Sequence, residues 1–314
     1  MITIMIRKQF WVLGIVGMLL PGLFACSGDS NATRSAKALP GGRPRIVVTY
    51  GMVGSVVRDV VGSKADVVVL MPNGADPHEW SPSAKDVQSM LRADLVIENG
   101  LGLEGKLQTP LERVRAAKIN VFTASDHVAV RRVKAGEGAE PHDPDQAPGA
   151  QDPHIWMDPL TMTQWIGPLV AVLKDVGVEV DAATVEADLA RLNDEVASIL
   201  GSVPAGQRKL VTGHESLGYL AERYGYALIG AVIPSVSSQA EASAGELAEL
   251  KKKIKEAGVS VIFTEIGTPG ATVKAIGADS GAKVVELSTH TLPKDGTYRT
   301  FMKDIATKIA TALR

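Results

Sequence analysis

Short apolar runs alternate with helix-period stretches twice along this chain, and one long amphipathic segment separates the two rounds. That ordering constrains the fold more than any other feature, because strands alternating with helices require βαβ units and a parallel sheet. In the first round, strands are expected at 46–48, 67–71, 95–97 and 119–122, with helices over 52–61, 83–92 and 107–117. The second round offers strands at 209–212, 227–233, 259–264 and 283–287, and helices over 217–224, 245–257, 272–281 and 298–313. Asp158-Pro159 is expected to start a further helix running to about residue 176. Between the rounds, Val185, Leu189, Leu192, Val196 and Ile199 recur at intervals of 4, 3, 4 and 3, which puts one apolar face on a helix over 181–200. Asp181 is its expected N-cap, and Pro204-Ala205-Gly206 stops it. Such a helix is about 30 Å long, enough to span two lobes. The fold expected is therefore α/β: two parallel-sheet lobes joined by one long rigid helix, with a cleft between them. The boundaries are 45–180 for the N-terminal lobe, 181–203 for the linking helix and 204–314 for the C-terminal lobe.

The residues ahead of the first strand are a targeting segment and a tether. Arg7 and Lys8 precede an uncharged apolar stretch over 10–25, too short for a bilayer span of roughly 20 apolar residues but suited to a signal peptide. The stretch ends Leu23-Phe24-Ala25-Cys26. This resembles the bacterial lipobox, in which the cysteine becomes the lipidated first residue. Residues 1–25 are read as the signal peptide and 26–44, poor in apolar residues, as a lipid-anchor tether. The alternative is an incidental cysteine in an ordinary signal peptide or in an uncleaved anchor. Cys26 is the only cysteine, which rules out an intrachain disulfide. Removing Arg7 and Lys8 leaves 31 basic against 35 acidic residues, a charge of −4. With no basic stripe, a nucleic-acid partner is not expected.

Six histidines occur, and four of them are placed alike. The stretch over 67–80 runs from an apolar strand into turn chemistry (Pro72, Asn73, Gly74) and then Asp76-Pro77-His78. His78 is thereby presented at a strand's carboxyl end, the edge where open α/β sheets bind ligands. His214 and His290 likewise follow apolar strands, and His154 sits in a Pro-flanked turn. Two fall on each side of the long helix, at separations of 76, 60 and 76 residues. Four neutral imidazoles suit a borderline cation such as Zn²⁺. Against this, a lone histidine in a turn is more often solvated, and these spacings are far longer than those of zinc fingers or HExxH enzymes. His127 is read as structural or exposed. The segment 133–152 reads as a surface loop carrying Glu137, Glu140, His142, Asp143 and Asp145, either a weak cation collector or a solvated insertion.

Several motifs stand in one order: Asn73-Gly74-Ala75-Asp76-Pro77-His78-Glu79-Trp80, Asn99-Gly100-Leu101-Gly102-Leu103-Glu104, Asp152-Pro153-His154-Ile155-Trp156-Met157-Asp158-Pro159, Thr212-Gly213-His214 before Gly218-Tyr219-Leu220-Ala221, and Gly296-Thr297-Tyr298. Together they resemble the zinc- and manganese-binding receptors of bacterial ABC importers, many of them lipoproteins, over nearly all of the mature chain. The resemblance implies metal ligands at His78, His154 and His214. The family's fourth ligand is normally a carboxylate in a Thr-Asp-Ser-Leu type segment; here the segment reads Thr289-His290-Thr291-Leu292, so His290 takes that place. Glu265, or Glu215 beside His214, is the alternative. The 133–152 loop stands where many zinc members carry a His-rich loop.

The implied protein is no enzyme. It is an extracytoplasmic substrate-binding protein, lipid-anchored at Cys26 and monomeric, that captures a divalent metal between its lobes and delivers it to a membrane permease. Imidazole donors favour Zn²⁺ over Mn²⁺ as the transported ion, since hard Mn²⁺ prefers oxygen. A secreted zinc hydrolase using Glu215 or Glu265 as base is the enzyme alternative, opposed by a closed four-ligand site. A surface adhesin is the other, though no repeat or exposed aromatic patch supports it. No Gly-rich phosphate loop follows a strand, which argues against nucleotide binding.

Overall fold

The computed structural model describes residues 42–134, 137 and 149–314. The signal peptide, Cys26, nearly all of the tether, and Glu140, His142, Asp143 and Asp145 of the long loop lie outside the described residues. Among the described residues, no helix is long and apolar enough to cross a membrane.

The first round of alternation builds one parallel sheet. Strands β1 (Arg45–Val48), β2 (Asp66–Val69), β3 (Leu95–Glu98) and β4 (Asn120–Thr123) lie in the order β2-β1-β3-β4. Helices α1 (Gly51–Val61), α2 (Ala84–Met90) and α3 (Gln108–Ala116) connect them. Ser83 caps α2 in a reciprocal box with Asp86, which satisfies two otherwise orphaned amides. The second round repeats the plan with β5 (Lys209–Thr212), β6 (Ala227–Ala231), β7 (Val261–Thr264) and β8 (Lys283–Glu286), linked by α7 (Gly218–Tyr224), α8 (Ala244–Ala257) and α9 (Gly270–Ser280). Its strands pair as two parallel ladders, β5 with β6 and β7 with β8, and β5 runs alongside β7.

Strand residues alternate between two cores. Ile46, Val48, Leu95 and Ile97 of the first sheet and Leu210, Val261 and Phe263 of the second set all enter one cluster. Val47 and Val96 face a separate core under α2 and α3, while Val211 and Ile262 face another under α8 and α9. Burial on both faces explains why the strands read as continuous apolar runs. The shared inner cluster is completed by α6 (Ala183–Gly201) and the closing helix α10 (Tyr298–Leu313). Leu189, Leu192, Val196 and Leu200 are the buried side of α6, and the intermediate Val185 and Ile199 pack against the same cluster. The helix starts two residues later than the sequence suggests. Ala182 is the capping residue, and Asp181 Oδ1 accepts from the Ala183 amide instead. The closing helix packs along α6 and touches α1, so the end of the chain returns to the first lobe.

The helix expected from 159 to 176 is two helices, α4 (Pro159–Gln164) and α5 (Ile166–Asp175), broken at Trp165. Pro168 is the cause. It has no amide to donate, and its ring would collide with the carbonyl four residues earlier, at Gln164. At both ends of the long loop the chain is zipped: Val133 and Asp152 amides donate to Ala150 and Arg131 carbonyls across an antiparallel bridge of Arg132 with Gln151.

Candidate metal centre

Each of the four histidines lies beyond the carboxyl end of a strand, and the two sets of strand ends face one another. Their ring centroids are 5.0–6.4 Å apart in all six pairings. Relative exposure is 8% for His78, 2% for His290 and zero for His154 and His214, so no bulk water competes for their ring nitrogens. His78, His154 and His214 each bring one nitrogen within 4.8 Å of the other two; His214, His290 and a Glu265 oxygen do the same. His214 is the shared vertex and His290 the outlying ring, 6.4 Å from His78 and 6.3 Å from His154. His154 Nε2 and His214 Nε2 are 3.1 Å apart. A tetrahedral zinc with Zn–N of about 2.0–2.1 Å requires an edge of about 3.3 Å.

The outward face of each ring is fixed differently. In both Asp-Pro-His turns the aspartate Oδ1 accepts the histidine backbone amide, at 2.9 Å for Asp76–His78 and 3.0 Å for Asp152–His154. Asp152 Oδ1 also accepts His154 Nδ1–H at 2.8 Å, leaving Nε2 to point inward. His214 Nδ1 lies 2.8 Å from Glu265 Oε1, off the line of a regular hydrogen bond. Glu265 is further held by the His214 amide and by the hydroxyls of Ser216 and Thr289. Behind His290 stands a phenol, with Tyr50 Oη 3.0 Å from Nδ1. Trp156 packs edge-on under His154 and His290 and donates its indole N–H to the Thr289 carbonyl. The Nε2 atoms of His78 and His290 are buried without a protein partner. Buried polar atoms are nearly always paired, so two orphaned imidazole nitrogens in one nest fit a bound cation.

The electrostatics suit neutral imidazoles. Burial, then the neighbouring rings, pushes the His78 pKa well down; burial and His214 push His290 down to about 3. Burial lowers His154 against the opposing pull of Asp152. Burial would lower His214 as well, but Glu265 outweighs it and raises that pKa. Burial alone would raise Glu265, yet His214 and the hydroxyl donors hold it well below the usual carboxylate range. The unfolded chain therefore binds more protons than the folded one at three positions and fewer at one. For the three lowered rings, stability is fully present above the unfolded pKa near 6.5 and is lost as pH falls toward their folded values. His214 opposes this, contributing stability below 6.5 that is lost above its raised pKa. The metal-free protein is expected to unfold at a lower temperature at about pH 5 than at about pH 7.5, each net imidazole weighing about 1.4 kcal/mol per pH unit. Circular dichroism melts measure this; an unchanged or higher midpoint at the acid end contradicts it.

Several contacts cross between the lobes around the nest. Asn73 and Leu292 exchange two hydrogen bonds, at 2.8 and 2.9 Å. The Ser238 hydroxyl donates to Asp76 Oδ2 at 2.7 Å. The Arg131 guanidinium, nearly enclosed, pairs with Asp152 and Glu137 and reaches toward Glu222 on α7. Gly218 makes room for it: a Cβ there would lie 2.4 Å from Arg131 Nη1 and from Asp152 Oδ2.

Sequence reasoning named the four rings and Glu265 but missed Asp76, Asp152 and Tyr50 as their supports. The repeated Asp-Pro-His tripeptide carries the signal for the two aspartates. Nothing local marks Tyr50, which meets His290 across 240 positions of chain. His127 is stacked on Phe122, away from the nest. The Glu215 carboxylate is buried beside His214 with Oε1 unpartnered, and burial first, then Asp152 and Glu137, push it up to about 8.

Parallel α/β lobes whose strand ends meet at a buried nest of imidazoles define a two-lobed metal-binding protein. The chain belongs to the ZnuA family, the periplasmic component A of the zinc-uptake complex, whose model matches residues 46–312. It is 30% identical over 259 residues to the zinc-binding protein TroA of Treponema pallidum, covering 80% of this chain and 79% of that one. It is 26% identical over 326 aligned residues to the manganese ABC transporter substrate-binding lipoprotein PsaA of Streptococcus pneumoniae, covering 98% and 99%. The solved structure of the periplasmic zinc-binding protein TroA superposes with a TM-score of 0.72 at 26% identity, covering 87% of this chain and 99% of that one.

Proposed function

We propose that this chain is the extracytoplasmic substrate-binding protein of a metal ABC importer. It captures a divalent ion, Zn²⁺ in preference to Mn²⁺, and hands it to the membrane permease. The observation that carries this reading is the convergence of four buried imidazoles, two with inward nitrogens that no protein group satisfies. The family is one of transport receptors rather than enzymes, and zinc-binding and manganese-binding proteins both stand among the relatives.

The ligands are His78, His154, His214 and His290. Glu265 stands behind His214 as its support: its oxygens are already taken by one amide and two hydroxyls, whereas His290 Nε2 has no partner. Four neutral rings bring no charge of their own, but Asp152 and Glu265 sit one bond further out and offset the ion's charge. Imidazole donors suit Zn²⁺ better than Mn²⁺. Residues 45–180 and 204–314 act as the two metal-binding lobes about the helix of 181–203. Cys26 anchors a monomer to the outer side of the cytoplasmic membrane through its lipid.

Metal analysis of the protein purified from cells, with zinc–manganese competition followed by calorimetry, tests the reading. One equivalent of zinc that excess manganese fails to displace is expected. Manganese retained against equimolar zinc would overturn the metal assignment, and no divalent metal at all would overturn the transport reading.

A further inference from the structure

The Asn99–Glu104 turn touches none of the four histidines, yet it is built with unusual care. Glu104 is fully buried, and its carboxylate gathers three donors from two strand ends. Oε1 accepts the Thr49 hydroxyl at 2.6 Å and the Asn99 amide at 2.9 Å; Oε2 accepts the Gly100 amide at 3.3 Å. Thr49 directly follows β1, and Asn99 directly follows β3. The turn between them is strained. Leu101 holds φ at 56°, a left-handed conformation that a branched side chain rarely adopts, between Gly100 at 89° and Gly102 at 74°. Gly100 also has no room for a side chain, since a Cβ would lie 2.2 Å from Ser125 Oγ. Such strain persists only where its surroundings overdetermine it, and here the Glu104 carboxylate ties both ends of the turn.

What the turn holds leads into the metal centre by two routes. Asn99 Nδ2 donates to the Pro153 carbonyl at 2.9 Å, which fixes the peptide immediately before His154. Thr49 is the neighbour of Tyr50, whose phenol stands 3.0 Å from His290 Nδ1. We propose that Glu104 is a positioning residue for the metal centre, setting through Asn99 and Thr49 the placement of the His154 turn and of the phenol behind His290. This rests on the transport reading above. Burial pushes the carboxyl up to about 7, with Glu98 adding to the push and the Thr49, Asn99 and Gly100 donors opposing it. A buried carboxylate costs stability, and a turn that merely had to close would be served by an apolar residue.

The test compares Glu104→Ala and Glu104→Gln with the parent. Zinc affinity is read by competition with a chromogenic chelator, and ligand geometry by the visible d–d absorption of the cobalt(II)-loaded proteins. A structural role alone would lower the melting temperature of the metal-free protein and leave the cobalt bands of the folded protein in place. Positioning predicts that Glu104→Ala shifts those bands and weakens zinc by about tenfold, the low end for supporting partners of metal ligands. Glu104→Gln, which keeps an acceptor toward Thr49 and Asn99, recovers most of both. Parental affinity and a parental cobalt spectrum in folded Glu104→Ala would overturn the inference. If that variant does not fold, Thr49→Val, which removes one donor at nearly constant shape, is read the same way: shifted bands support the inference and parental bands overturn it. A parent that takes up no zinc would overturn the transport reading, and this inference with it; a parent that binds zinc beside an unaffected Glu104→Ala overturns this inference alone.

Discussion

His78→Ala protein binds zinc roughly a thousandfold more weakly than the parent, a loss of about 4 kcal/mol, while its metal-free form melts within a few degrees of the parent. The two halves of this expectation have separate causes. Zinc loses one of four nitrogens, and no neighbouring side chain stands ready to replace it. The metal-free fold loses little because His78 Nε2 is paired with no protein atom. The ring is also held uncharged by burial and by its three neighbours, which leaves the apo site an electrostatic burden that the substitution relieves. Isothermal titration with zinc and thermal melts of the apo protein measure the two quantities. Zinc binding equal to the parent's would remove His78 from the ligand set. The same change at His290 tests the fourth position: a comparable loss is expected, and parental affinity would reassign that position to Glu265.

Glu265→Gln is expected to do the reverse, harming the fold more than the binding. The carboxylate faces His214 Nδ1, the His214 amide and the hydroxyls of Ser216 and Thr289. An amide keeps one acceptor oxygen but turns an NH₂ toward groups that also donate. Removing one partner of a buried charged cluster costs about 3 kcal/mol or more, so the apo melting temperature falls clearly. Zinc affinity drops by about 10–100-fold, as it does when an outer partner of a ligand is lost, and one equivalent still binds. Loss of zinc as complete as in His78→Ala would instead make Glu265 a direct ligand. The imidazole of His214 also changes: without the carboxylate, burial dominates, and its pKa falls below 6.5 like those of the other three rings. NMR titration of the ring protons reads that shift directly.

The sequence was most legible where one period decided the structure. Strand runs and the spacing of Leu189, Leu192 and Val196 located nearly every element, because burial on both faces leaves an unbroken apolar signature. The rings were legible for a different reason: in a parallel sheet, whatever follows a strand's carboxyl end lies at the same edge as every other such residue. Two misreadings were local and avoidable. Gly167-Pro168 inside an apolar run announces the break at Trp165, and the doubled Asp-Pro-His announces the aspartates that orient two of the rings. The remainder was beyond reach in principle. Tyr298, Phe301, Met302, Ile305 and Ile309 mark a buried face on α10, but amphipathicity does not say against what. That the last helix lies along α6 and α1, and that Tyr50 backs His290, are facts of chain return rather than of pattern.

The common cluster beneath both sets of strands has a consequence for how an ion gets in and out. Separating the halves as rigid bodies would wet apolar surface at about 2.5 kcal/mol for every 100 Å² exposed, and that surface includes most of α6 and α10. A wide jaw-like opening is therefore disfavoured by the same packing that makes the molecule one piece. The cheaper motion is at the rim. The turn carrying His78 and the segment carrying His290 rest outside the strands and are fastened to each other by the paired amide contacts of Asn73 and Leu292. Unfastening two hydrogen bonds frees one donor from each side, so ion exchange becomes a matter of two loops letting go while the scaffold stands still.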